Sequence, residues 1–277
     1  MTVDIIGIDC ATDPANTGVA HATVNLPDGR PTLRHLSVGS GGAAGSGGAA
    51  GSGGAAGSGG TTTARLVSEL LSPPRPALIG LDAPLGWPEP MGRLLTAHRA
   101  GEELNIEANL FFRRHTDRVV RRYLGKQTLD VGADRIARTA VAALEFLTEL
   151  RRLTDRPFPV ATHSVPALRA QRPGESDAAV EVYPRGRLIA HHGSAYGTGY
   201  RARSGEPVRR SLIDDIAREM DLRVEVEQAV KDVDLLDAML CVLAAVDVLR
   251  GRCTPPEAVG APLEAVRREG WIWLPLF

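Results

Sequence analysis

Ile5-Ile6-Gly7-Ile8-Asp9 is an apolar, branched run that ends on one carboxylate and passes at once into the small residues Cys10, Ala11 and Thr12. Its shortness and branching predict a buried strand rather than a helix. A carboxylate tolerates such a position when it is paired, hydrogen-bonded or bound to a metal ion. The same figure recurs at Leu78-Ile79-Gly80-Leu81-Asp82, before Ala83-Pro84, and at Ala178-Ala179-Val180-Glu181-Val182-Tyr183, before Pro184. Three apolar strands with one acid each predict that Asp9, Asp82 and Glu181 converge on one metal site on one sheet.

Outward from the first strand, residues 18–26 and 32–38 read as two more strands, with the hairpin signal Pro27-Asp28-Gly29-Arg30 between them. Three antiparallel strands therefore lead the chain. Residues 39–60 repeat Gly, Ser and Ala without charge or branched apolar side chains, so they build no core. The strict periodicity resembles a designed linker in place of a loop, with a span of roughly 25 Å as a flexible chain. An amphipathic helix is predicted over 63–71, stopped by Ser72-Pro73-Pro74, before the Asp82 strand. Residues 90–157 read as a helical insertion whose clearest helix runs from 134 to 153, with Ile136, Ala140, Val141, Leu144, Leu147 and Leu150 on one side. A Gly- and Tyr-rich loop follows Glu181. A helix over about 210–220, a short strand over 222–226 and a final apolar helix over 234–249 complete the order. Trp271-Ile272-Trp273-Leu274 reads as a docked terminal segment.

With 277 residues, 43% of them hydrophobic, the chain can bury one core, read here as a single domain over 1–277. A formal net charge of -1 gives no global attraction to polyanions, so a nucleic-acid partner must be held by a local patch. Three cysteines without a paired spacing suit a reducing compartment and argue against thiolate zinc. Neither a signal peptide nor a membrane span is expected, and the predicted location is cytoplasmic.

Each acid also has a plain structural explanation. Asp9 and Asp82 can initiate the turns that follow their strands, and Asp234 can cap the last helix with Asp237 near its positive end. Glu181 lies between Val180 and Val182 and must point somewhere polar. The chemistry that asks for all of them together is oxygen-only ligation of Mg²⁺ or Mn²⁺. Two such ions activate a water and stabilise the leaving oxygen in phosphodiester hydrolysis. The histidines are scattered or, at His191-His192, adjacent, and offer a poorer site.

Gly7-Ile8-Asp9-Cys10-Ala11, Leu81-Asp82-Ala83-Pro84-Leu85-Gly86, Glu181-Val182-Tyr183-Pro184 and Asp234-x-x-Asp237-Ala238 resemble the motifs of the predicted RNase H-like nuclease family known as domain of unknown function 429. The first and last are also similar to those of RuvC-type resolvases. The resemblance implies an RNase H-like α/β fold, with a mixed sheet of three antiparallel strands and then further strands, flanked by helices. It implies that Asp9 bridges the ions, that Asp82 and Glu181 flank it and that Asp237 closes the site, with Asp234 as cap or ligand.

A nuclease must also hold phosphates. Arg114, Arg118 and Arg121 would line one face of a helix, and Tyr196 and Tyr200 alternate with arginines in the loop over 191–210. These are the expected contacts to DNA or RNA, with a homodimer left open. Two other functions compete. Asp9-x-x-Thr12 with Thr17-Gly18 resembles a phosphate-holding hairpin of the actin and sugar-kinase class, although that class repeats its strand unit and only one unit is found here. The other is a non-catalytic nucleic-acid-binding module on the same fold.

Overall fold

The computed structural model describes residues 1–39, 59–132, 135–163, 177–193 and 199–275. The elements are β1 (Thr2–Asp9), β2 (Gly18–Asn25), β3 (Thr32–Val38), α1 (Gly59–Leu70), β4 (Ala77–Asp82), α2 (Glu89–Leu95), α3 (Ala108–Phe112), α4 (His115–Leu124), α5 (Ile136–Thr154), β5 (Ala178–Glu181), α6 (Pro184–His192), α7 (Glu206–Glu219), β6 (Asp221–Leu222), α8 (Glu227–Lys231), α9 (Val233–Leu249) and α10 (Leu263–Glu269). The six strands form one sheet in the order β5-β4-β1-β2-β3-β6. β1, β2 and β3 pair antiparallel, whereas β1, β4 and β5 run parallel. This mixed sheet flanked by helices is consistent with an RNase H-like arrangement.

Alternation along the strands divides the core between the two faces of the sheet. Val3 and Ile5 of β1, Leu78 of β4, and Ala178 and Val180 of β5 pack with the buried residues of α9 and α7. Ile6, Ile8, Ile79, Leu81 and Ala179 pack on the other face, against Ala64 and Val67 of α1 and Phe146, Leu147 and Leu150 of α5. α9 is apolar all round and buried from Leu235 to Val248. The reason is its position between the sheet and the outer helices.

The Gly-x-Asp figure has a packing cause. With a period of two, Gly7 and Asp9 share one face of β1, and Gly80 and Asp82 share one face of β4. A Cβ on Gly7 would run into the Ala238 carbonyl and the Val242 amide of α9, and one on Gly80 would lie 3.0 Å from the Cys241 carbonyl. The missing side chains let the helix backbone approach closely. The acid two residues further on then meets the head of that helix.

Several boundaries differ from the sequence expectation. The strand expected over 222–226 shrinks to Asp221–Leu222, paired parallel to β3. The expected loop after Glu181 begins as α6, whose Pro184 sits in the first turn where its missing N–H costs nothing. The helix expected from 134 begins at Ile136, with Asp134 outside the described residues. Residues 40–58 of the repetitive segment also lie outside them. The terminal tryptophans are packing groups, as expected: Trp271 and Trp273 are buried, and their indole N–H groups donate to the Thr254 and Ala161 carbonyls.

Candidate active site

Three of the expected acids come together at the C-terminal ends of the interior strands β1 and β4. Asp9 and Asp82 are direct partners in the parallel register of β1 and β4, so their Cα atoms lie about 4.8 Å apart. Asp237, fully buried in the first turns of α9, faces them. The chain places these carboxylates together without enough positive charge to balance them. Burial, then Asp237, then Asp82 hold the Asp9 carboxyl well above the usual range. Burial and Asp237 push Asp82 up to about 7. Burial also raises Asp237, to about 6, against the opposing pull of Arg201 and the Tyr200 hydroxyl.

Asp234 does not cap α9. Asp232 does, accepting from the Asp234 amide at 3.0 Å. The cap lies one residue before the helix, and this leaves the Asp234 side chain beside Asp9. Burial, followed by the neighbouring Asp232, raises the Asp234 carboxyl.

Glu181 is placed differently. It alternates with Val180 and Val182, so it leaves the face that carries Gly80 and Asp82. Both of its oxygens accept from Arg114, at 2.8 Å from Nη1 and 2.7 Å from Nη2, and Oε2 also accepts from the Leu85 amide. Arg114 is 1% exposed. It binds Asp117 through Nε and Nη2, and its Nη1 reaches the Glu269 carbonyl. Burial works against its charge, but Asp117 and Glu181 outweigh burial and raise its pKa. The expected solvent-facing phosphate arginine is therefore a buried cross-link, and the expected flanking ligand is its partner. The cause is that Arg114 precedes α4 as its N-cap instead of riding on its outer face.

The other expected substrate residues are also engaged with the protein. Arg118 donates to the Arg113 carbonyl, and Arg121 to Gln127 Oε1 at 3.1 Å. Tyr200 is fully buried, so it stacks on nothing from solvent. Its hydroxyl donates to Asp237 Oδ1 at 2.9 Å. Tyr196 lies outside the described residues. Arg201 was legible only as one basic residue in a basic loop, yet it donates to Asp237 Oδ2 and is the nearest cation to the acid cluster. Its partner lies 36 residues away in sequence, which no local pattern reveals.

A cavity of ≈ 340 Å³ opens over these groups, lined among others by Asp9, Asp82, Glu181, Tyr183, Arg185 and Arg201. That size suits a small ligand or a single nucleotide. Tyr183 has its phenol pushed up to about 12 by burial and then by Asp82. Cys10 and Cys241 lie under the acids, and burial followed by the carboxylates raises both thiols far above their ordinary range. The donors that the clustered aspartates present are carboxylate oxygens, the ligand type that hard divalent cations take. Among the described residues, no three His, Cys, Asp or Glu side chains are arranged to hold a metal ion as they stand. Arg201 is bonded to Asp237, and Arg114 holds Glu181. No helix among the described residues is long and apolar enough to cross a membrane.

Comparison with curated proteins and with solved structures returned no match. Residues 7–260 match the family described as "Protein of unknown function (DUF429)", a span that runs from the Gly7-Ile8-Asp9 strand end past the whole of α9. With nearly all of its length and every acid of the cluster inside that match, the chain belongs to the DUF429 family.

Proposed function

We propose that the chain is a divalent-metal-dependent hydrolase of phosphodiester bonds in nucleic acid. The observation that carries this reading is the pairing of Asp9 with Asp82 at the ends of two parallel strands, faced by Asp237 and under-compensated in charge. Three buried carboxylates held at raised pKa are costly unless a cation joins them. Their oxygen-only chemistry fits Mg²⁺ or Mn²⁺. Held by Asp9, Asp82 and Asp237 with Asp234 beside them, such an ion would act as a Lewis acid on water and on the phosphate oxygens. Arg201 supplies the positive charge at Asp237 that the ion would replace. Tyr200 orients that carboxylate from the core side. Glu181, locked by Arg114, is proposed as a rigid wall of the site in place of the flanking-ligand role.

Calorimetric Mn²⁺ titration of the wild type and of Asp9→Asn, followed by incubation of both with labelled DNA and RNA, tests the reading. Saturable metal binding and metal-dependent cleavage are expected in the wild type, and both are lost in the variant. Cleavage that persists in Asp9→Asn would remove the site assignment. Absence of metal binding in both proteins, repeated with a short oligonucleotide present, would leave a non-catalytic binding module.

A further inference from the structure

The cavity has two unlike walls. One carries the acids. The other is built by the loop that leaves α4, where Gly125 in the left-handed conformation ends the helix and turns the chain along the cavity. Lys126, Gln127, Thr128 and Leu129 of this loop line it, and Arg185 from the first turn of α6 joins them. The loop is fixed at both sides. Arg121 Nη1 donates to Gln127 Oε1 at 3.1 Å, and Arg113 Nε pairs with Asp130 Oδ1 at 2.8 Å.

Two polar atoms on this wall have nothing to bond. Thr128 Oγ1 and Arg185 Nε are both buried and lack a hydrogen-bond partner. Leaving such groups unpaired is costly. Neither Lys126 nor Arg185 forms an ion pair among the described residues, although most of the arginines around the site do. Lys126, Thr128 and Arg185, each able to donate, therefore line the same cavity as the carboxylates of Asp9, Asp82 and Glu181. The partner they fit is an anion with several acceptor oxygens, presented to the carboxylates from across the cavity.

We infer that Lys126, Thr128 and Arg185 form a phosphate-binding subsite that seats a phosphate group of the substrate opposite Asp9 and Asp82. This rests on the phosphodiesterase reading for its direction, and it replaces Arg114, Arg118 and Arg121 as the phosphate contacts. Arg113, before α4, and Arg121, on α4, have another task in this arrangement: they hold the loop in place.

The test uses the full chain in metal-free buffer. Binding of inorganic phosphate, of a nucleoside monophosphate and of fluorescein-labelled single-stranded DNA and RNA of about ten nucleotides is measured for the wild type, Lys126→Gln, Arg185→Gln, Thr128→Val, Arg118→Gln and Asp9→Asn. Lys126→Gln and Arg185→Gln should each weaken binding about tenfold, and each should lower the slope of log affinity against log salt by about one. Thr128→Val should weaken it less, with no change in slope. Arg118→Gln should be unchanged, and Asp9→Asn should bind as well as the wild type or better, because it removes a negative charge facing the anion. If phosphate and monophosphate bind but the oligonucleotides do not, the subsite stands for a free nucleotide and the nucleic-acid reading falls. If Asp9→Asn loses metal-dependent cleavage while Lys126→Gln and Arg185→Gln bind and cleave like the wild type, the subsite is wrong and the hydrolase reading survives. Absence of any anion binding by the folded wild type would also overturn the subsite.

Discussion

Asp4 and Asp9 occupy opposite ends of the same strand, and both are buried, at 0% and 8% exposure. Asp4 accepts from His21 Nε2 at 2.9 Å and from Arg75 Nε at 3.0 Å. Burial pushes its carboxyl up, but these two partners outweigh burial and hold it below the usual range. A second acid at that end of the sheet, Asp177, is likewise matched, by Arg156 at 2.7 Å and by the Ala77 amide. Asp9 has the reverse environment: three more aspartates, Asp82, Asp234 and Asp237, and one arginine that is committed to Asp237. One end of the sheet is therefore neutralised by the protein itself, and the other is left for something else to neutralise. Imbalance of this kind at a cavity is what separates a candidate functional site from a structural ion pair.

The largest effect should come from breaking the buried Arg114 cross-link beside the cavity. Arg114→Ala leaves Glu181 and Asp117 buried without their cation, and should cost about 3–5 kcal/mol in urea unfolding. A loss below about 1 kcal/mol would mean that water reaches Glu181 and that the pair is not closed. Gly7→Ala should come next, at about 1–3 kcal/mol, because the new methyl group strikes the backbone of α9. Since α9 carries Asp234 and Asp237, Mn²⁺ binding measured by calorimetry should weaken in the same variant.

The third pair of variants tests the comparison by sign. Asp4 has a lowered carboxyl, so its contribution is present above the ordinary carboxylate range and is lost as pH falls through its folded value. Asp4→Asn should therefore destabilise the protein at neutral pH, by about 1–3 kcal/mol. Asp82 is raised to about 7, so its ionisation opposes folding, and stability should fall as pH climbs from the carboxylate range through about 7. In metal-free buffer at pH 8, Asp82→Asn should raise the Tm, by about 2–4 °C for each kcal/mol relieved. Equal signs for Asp4→Asn and Asp82→Asn would erase the contrast between the two ends. The smallest effect is expected from Arg152→Gln on the outside of α5, within about 0.5 kcal/mol of the wild type.

Legibility followed the range of the interactions. β1, β4 and β5 were readable because each is a short apolar run whose burial is inherent in its composition. The amphipathic stripe of α5 and the continuous apolar surface of α9 were readable for the same reason. The acids were readable as acids, each being conspicuous against apolar neighbours. The role of Arg114 was not readable, because its partner Glu181 lies 67 residues away and only the tertiary fold brings them together. Tyr200 looked like a solvent-facing aromatic beside arginines and became a buried donor to Asp237. Lys126 was legible only as the last of the six basic residues over 113–126, residues 127–129 showed no special pattern, and the place of all four on the cavity depends on the turn at Gly125.

By itself, the sequence determined which segments must be buried and where acids interrupt them, since hydrophobic transfer and strand alternation act on neighbouring residues. It also determined the close approach of α9, because only glycine at positions 7 and 80 leaves space for a helix backbone. Tertiary structure alone decided which charges meet. An ion pair depends on a few ångströms between side chains far apart in the chain, and those distances exist only once the sheet register and the helix starts are set. That is why Asp4 ended on His21 and Arg75 and Glu181 on Arg114, whereas Asp9 and Asp82 were left facing one another across the register of two parallel strands.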